Sequence, residues 1–263
     1  MVENCSRRPE SAVDSRSSLD GGYHQGMSAY RVNFGKPVAL FPLPGVSLLP
    51  HGAQPLHIFE PRYRQMIENC LASGNGDLDR ADPIAMAVVD GRRGAEVQEV
   101  SLREAVCVGR IARVERLSSG RFNILLHGLC RARIEELDPP VDGRLHLRAW
   151  LRPIEPEANE APPMPEARRL IRSLLGNGRL RRLAAAGMAV EWLDRDDLPT
   201  SVVLDLIGFA VVKDEAIRYR LLEQGDSRRR AETVAGELQM LDRLVSQVDR
   251  QNFAEWPKGL SWN

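Results

Sequence analysis

The sequence predicts an α+β fold, with a strand-rich first half joined to a helical second half. Three observations point there. From Val38 to Leu151 the apolar residues come in short runs rich in Val, Ile and Leu, separated by turn residues. Seven of the 17 prolines fall between Pro139 and Pro165, and a residue that fixes φ and lacks an N–H marks a boundary when it clusters. After Pro165 the apolar spacing lengthens from two residues to about 3.6, the period of a helix. The 263 residues are 43% hydrophobic and 27% charged, enough apolar material for a substantial core.

Residues 1–35 are expected to be a disordered tail, since Met1 to about Tyr30 carries almost no aliphatic cluster to offset the entropy of ordering. Met27, just before the first apolar run, is an alternative translation start. The β-rich part, 36–152, has candidate strands Val38–Leu43, Gln54–Phe59, Ile84–Val89, Val106–Val114, Phe122–Leu129, Arg131–Leu137 and Leu145–Leu151. Ser118-Ser119-Gly120-Arg121 reads as a hairpin turn, with Gly120 free to take a positive φ. One helix interrupts the series. Pro61 suits its first position, Tyr63, Met66, Ile67, Cys70 and Leu71 share one face, and Gly74 stops it. Residues 153–165 read as a Pro-rich extended connector.

The helical part, 166–251, divides into Glu166–Leu175, Leu180–Asp194, Thr200–Val212, Asp214–Gln224 and Ser227–Arg250. Thr200, Asp214 and Asp226 or Ser227 are the N-cap candidates, and Gly225 is a stop. In the last helix Ala231, Val234, Leu238, Leu241, Val245 and Val248 form a short heptad seam, better suited to packing on the preceding helices than to a coiled coil. Residues 252–263 read as a tail.

Composition narrows the function. Thirty-six basic and 36 acidic side chains cancel, which disfavours nucleic acid or an anionic membrane as the main partner. The three lysines, Lys36, Lys213 and Lys258, do not stand between a Gly and a Ser or Thr, so no phosphate-binding P-loop is present. Cys5, Cys70, Cys107 and Cys130 are far apart and His24, His51, His57, His127 and His146 are dispersed, so no metal and no cofactor are expected. No stretch approaches the about 20 apolar residues of a membrane span, and no secretory signal opens the chain. A cytoplasmic location is expected.

The most informative segment is Leu40-Phe41-Pro42-Leu43-Pro44-Gly45-Val46-Ser47-Leu48-Leu49-Pro50, followed by Gln54-Pro55-Leu56-His57-Ile58-Phe59-Glu60-Pro61-Arg62-Tyr63-Arg64. It resembles the opening of the substrate-binding N-terminal domain of Lon-type ATP-dependent proteases. Val108–Glu115 and Gly120–Ile134 look like that family's later strands, and Leu204–Ile207 and Leu221–Glu223 continue the resemblance more weakly. The resemblance implies a twisted, partly closed PUA-like β-barrel with one inserted helix, then a helical bundle ending in a long helix. Those proteases carry an ATPase and a peptidase after this domain, and with the chain ending here and no P-loop lysine a stand-alone form without them is expected.

The functional expectation is a non-catalytic module that recognises unfolded or flagged polypeptides and is linked to ATP-dependent proteolysis and quality control, with a protease as a further partner. Val46, Leu48 and Leu49 in the Pro/Gly turn are the candidate polypeptide-binding residues, and the opposite reading is that they close the end of the barrel. His57, Phe59, Glu60, Pro61, Arg62 and Tyr63 form a structural motif, in which Glu60 meets a helix start and Arg62 or Arg64 pairs with it. No catalytic residues are assigned. Two other readings stay open, a PUA-like RNA-binding protein and a regulator of a Lon-type protease, together with self-association through the last helix.

Overall fold

The computed structural model describes residues 32–90, 101–154, 163–176 and 178–250. Residues 1–31 of the expected tail, with Cys5 and Met27, most of the Pro-rich connector, and residues 252–263 with Lys258 lie outside the described residues, while Val32 and Phe34 at the end of that expected tail pack against the sheet. The elements are β1 (Val38–Pro44), β2 (Ala53–Ile58), α1 (Pro61–Ser73), β3 (Ile84–Val89), β4 (Leu102–Arg116), β5 (Phe122–Asp138) and β6 (Arg148–Pro153). They are followed by α2 (Pro165–Gly176), a 3-10 turn (Arg179–Arg182), α3 (Ala186–Asp194), α4 (Thr200–Val211), α5 (Glu215–Glu223) and α6 (Ser227–Arg250).

The strand order is β2-β5-β4-β3-β1-β6, and β6 also pairs with β5. β1 and β3 run parallel, from Ala39 opposite Ile84 to Pro44 opposite Val89, so β2 and α1 form the crossover that a parallel pair requires. The central strands are buried on both faces, which explains why Ile84–Val89 is apolar at every position. Ile84, Met86 and Val88 join a core shared with α1 and the later helices. Ala85 and Ala87 point the other way, into a smaller cluster with Val38, Leu40, Val106, Val108, Ala132, Ala149 and Leu151.

The observed strands correct the sequence reading at one place in particular. Phe122–Leu129 and Arg131–Leu137 are one strand, β5, which runs on through Cys130 with the Arg131 charge neutralised from afar. Arg131 is fully buried, and its guanidinium donates to both carboxylate oxygens of Asp205 on α4, at 2.9 and 2.5 Å, while its Nε donates to the Leu221 carbonyl at 3.1 Å. Arg230 of α6 lies 3.4 Å from the same carboxylate and donates to the Gln224 and Gly225 carbonyls at the end of α5. Tyr219 of α5 accepts a hydrogen bond from the Ala105 amide of β4 at 2.9 Å, under the Arg103 guanidinium. The sheet and the helices are thereby bonded as well as packed together.

Other expectations shift by local chemistry. Leu180–Asp194 is not one helix, since the chain extends at Leu183 and the bend lets Leu180, Ala186, Ala189 and Leu193 all reach the core. Thr200 is no cap. Its hydroxyl donates to the Pro163 carbonyl at 2.7 Å, and Pro199 holds the cap position. Asp214 does cap α5, accepting from the Ile217 amide at 2.9 Å, and Asp226 accepts from the Arg228 amide at 2.8 Å. Gly120 has φ 71°, as the hairpin turn needs. Along α6, Ala231, Val234 and Leu238 are buried and Leu241 and Val245 half-buried, so the seam packs inside the chain as far as Val245, while its last member, Val248, stands exposed with Met240 and Leu244.

Candidate functional site

The turn after β1 does not display its apolar residues. Leu48 and Leu49 are fully buried, and Val46 is half-buried against the same core, which corrects the expectation that the three form a surface. Glycines make the seat. A Cβ on Gly128 of β5 would overlap the Leu49 carbonyl oxygen, and one on Gly208 of α4 would lie 3.1 Å from Leu49 Cδ1. Gly45, at φ 66°, packs where a Cβ would come 2.6 Å from a Glu215 carboxylate oxygen. The His51 amide donates to the Gly128 carbonyl at 2.9 Å and the Gly128 amide to the Gly52 carbonyl at 2.8 Å. The turn is a wedge between β5 and the α4–α5 corner. Burial pushes the neighbouring His127 imidazole below its usual range, helped by His51 and Arg110.

The motif from His57 to Tyr63 lies on the last strand of the sheet and the first turn of α1. His57 is exposed, with Nδ1 2.8 Å from Asn123 Oδ1, and the Asn123 amide donates to Glu115 at 2.9 Å across β5 and β4. Phe59 is 58% exposed and stacks on His57 at 6.1 Å. Glu60 occupies the cap position of α1 without capping, because its carboxylate instead accepts two hydrogen bonds from Arg62, at 2.7 and 3.0 Å. His57 and Glu60 therefore have separate partners and do not form an acid/base pair. Pro61 opens the helix as expected. Tyr63 is buried edge-on to Phe41 at 4.5 Å beneath the Arg62 guanidinium, and burial raises its phenol pKa.

The free edge of β2 is guarded. The Gly128-to-Gly52 hydrogen bond sets the parity of the β2–β5 ladder, and the register then places Pro55, opposite Leu125, at a position whose backbone faces away from β5. A proline there removes the N–H that an added strand would use.

Sequence reasoning missed the β5–β6 hairpin. Of the ten large apolar side chains exposed among the described residues, four lie there: Leu137 (44%), Val141 (58%), Leu145 (52%) and Trp150 (40%). Leu137 pairs with Ala149 and Glu136 with Trp150, so Leu137 and Trp150 are on opposite faces of the stem. Val141 and Arg144 exchange backbone hydrogen bonds around a turn in which Gly143 has φ 84°. Gln65 of α1 grips this tip, donating to the Gly143 carbonyl at 2.8 Å and accepting from the Leu145 amide at 2.7 Å. That contact also explains why β6 starts later than Leu145. In the stem, Asp138 accepts from Arg144 and Arg148, both at 2.8 Å, and Arg144 donates to the His146 and Pro139 carbonyls. His146 is buried among them, and burial, aided by Arg144 and Arg148, pushes its imidazole down to about 4. The only hint in the sequence is Pro139-Pro140-Val141-Asp142-Gly143, a turn signal with one apolar residue inside it.

The remaining reactive groups are engaged in structure. Burial pushes the Cys70 thiol up to about 12, so it stays protonated. Arg168 donates to the carbonyls of Trp192, Leu193, Arg195 and Leu198 and so closes the end of α3, beside Arg172 paired with Asp194. Arg179 and Arg182 face Asp242 and Asp249 on α6. Among the described residues no group of three metal-binding side chains comes together, and no helix is long and apolar enough to cross a membrane.

A sequence model of the ATP-dependent protease La (LON) substrate-binding domain matches residues 37–240, from β1 into α6. No curated protein matches the chain. Among solved structures, the N-terminal domain of the Mycobacterium avium complex Lon protease superposes with a TM-score of 0.57 at 20% identity, covering 78% of this chain and 98% of its own. A Lon N-terminal domain protein from Xanthomonas campestris gives 0.53 at 21% identity, with 76% and 98% covered. These likenesses are to the fold, a six-stranded mixed sheet with helices behind it. Since the sequence match runs through both the sheet and the helices, the chain belongs to the Lon substrate-binding domain family.

Proposed function

We propose that the chain is a non-catalytic recognition module for unfolded or flagged polypeptides, acting as an adaptor in Lon-type proteolysis in the cytoplasm. The carrying observation is the substrate-binding family match across residues 37–240. The protonated, buried Cys70 and the separate engagements of His57 and Glu60 support the absence of hydrolysis. The return of the ladder from β6 to β5 supports reading the sheet as a PUA-like, partly closed barrel. The exposed Met240, Leu244 and Val248 of α6 support self-association, which sedimentation velocity tests directly.

Fluorescence anisotropy of labelled, unfolded casein titrated with the full chain tests recognition. Saturable binding is expected, absent for a folded control protein, with casein left intact on gels with or without ATP. Casein cleavage by purified chain, or equal binding of folded and unfolded probes, would overturn this reading.

A further inference from the structure

We propose that the tip of the β5–β6 hairpin, with Val141 and Leu145 fixed by Gln65, is the surface that grips apolar side chains of unfolded polypeptide; this rests on the recognition role above. A loop tip that carries exposed apolar residues is ordinarily free to fold them away. This one is not. Gln65 holds it on both sides of Arg144, at the Gly143 carbonyl and the Leu145 amide, and Arg144 bolts the stem through Asp138, Pro139 and His146. The apolar side chains are therefore held in water in one geometry, which lowers the ordering cost when something covers them.

The same bonds define the ligand. Pro139 and Pro140 have no N–H, and the amides of Val141, Arg144 and Leu145 already donate to Arg144, Val141 and Gln65. The tip is thus unsuited to adding a strand, and recognition falls to side-chain contact, which tolerates many sequences. The nearby cations are also spent, Arg144 and Arg148 on Asp138 and Arg62 on Glu60, so no acidic ligand is selected. Neutral apolar segments fit. A second copy fits poorly, because four half-exposed side chains offer on the order of 400 Å², about half of the ~800 Å² per partner of a stable complex.

The test uses the full chain, labelled unfolded casein, and a labelled apolar peptide made with and without N-methyl groups on alternate backbone amides. Val141→Asp and Leu145→Asp are each expected to weaken casein binding at least fivefold with an unchanged melting temperature. The control Met188→Asp on α3 should stay within twofold of the parent, and the N-methylated peptide should bind within twofold of the plain one. A photo-crosslinking residue at position 141 should label casein. If the parent chain binds casein but the two hairpin variants bind equally well, the hairpin assignment falls while the recognition role stands. If the variants change only the sedimentation coefficient, the tip is a self-contact and the assignment falls. Loss of peptide binding on N-methylation would overturn side-chain recognition. A parent chain that binds no unfolded probe removes the recognition role and the hairpin with it.

Discussion

Two Pro/Gly turns of this chain, Pro44–Pro50 and Pro139–Leu145, have similar compositions and opposite fates. Each carries apolar residues beside prolines and a glycine at positive φ, Gly45 in one and Gly143 in the other. The first is wedged against Gly128 and Gly208, with Leu48 and Leu49 fully buried. The second stands in water with its backbone tied down. Turn composition decides that the chain reverses, and elements far along the sequence decide whether the reversal is covered.

The sharpest way to break the contrast is at the seat of the first turn. Gly128→Ala should cost at least ~3 kcal/mol, since the added methyl meets the Leu49 carbonyl rather than a flexible side chain. Leu49→Ala should cost about 2–5 kcal/mol by leaving a cavity, and chemical denaturation measures both.

The stem of the second turn should show itself in pH dependence. His146 is held down at about 4, whereas an unfolded imidazole titrates near 6.5. Its contribution is full above about pH 6.5 and is lost as the pH falls toward 4, because the unfolded chain takes up the proton first. The loss is of order 1–3 kcal/mol, and His146→Gln should flatten the stability curve over that window.

Gln65→Ala should cost about 1 kcal/mol and speed amide exchange at Leu145 markedly, as the grip on the tip is removed. Smallest of all, Val141→Ala and Glu60→Ala should stay within ~0.5 kcal/mol, one because the side chain is exposed, the other because its ion pair with Arg62 lies at the surface. A large destabilisation by Val141→Ala would erase the contrast between the two turns.

The sequence made the elements legible where local chemistry decides them. A short continuous apolar run between turn residues located Ile84–Val89, and Pro61 with Gly74 bracketed α1. Spacing also placed α6 and its buried seam. What it hid depended on distant partners. The continuity of β5 through Arg131 rests on Asp205, 74 residues away, and the choice between the two readings of Leu48 and Leu49 rests on Gly128 and α4, which only the fold brings to them. The hairpin tip was illegible for the same reason. The place of Val141 and Leu145 is fixed by Gln65 reaching across from α1, which leaves no periodic trace.

The guanidinium of Arg131 has a practical bearing on how this molecule can be dissected. A cut between Ile154 and Pro163 would strand a cation in the wall of the sheet and leave the carboxylate of Asp205 facing Arg230 alone. Neither fragment would then inherit a balanced interior, so domain-by-domain expression should yield insoluble halves, and any gene rearrangement that keeps this fold must carry both pieces together.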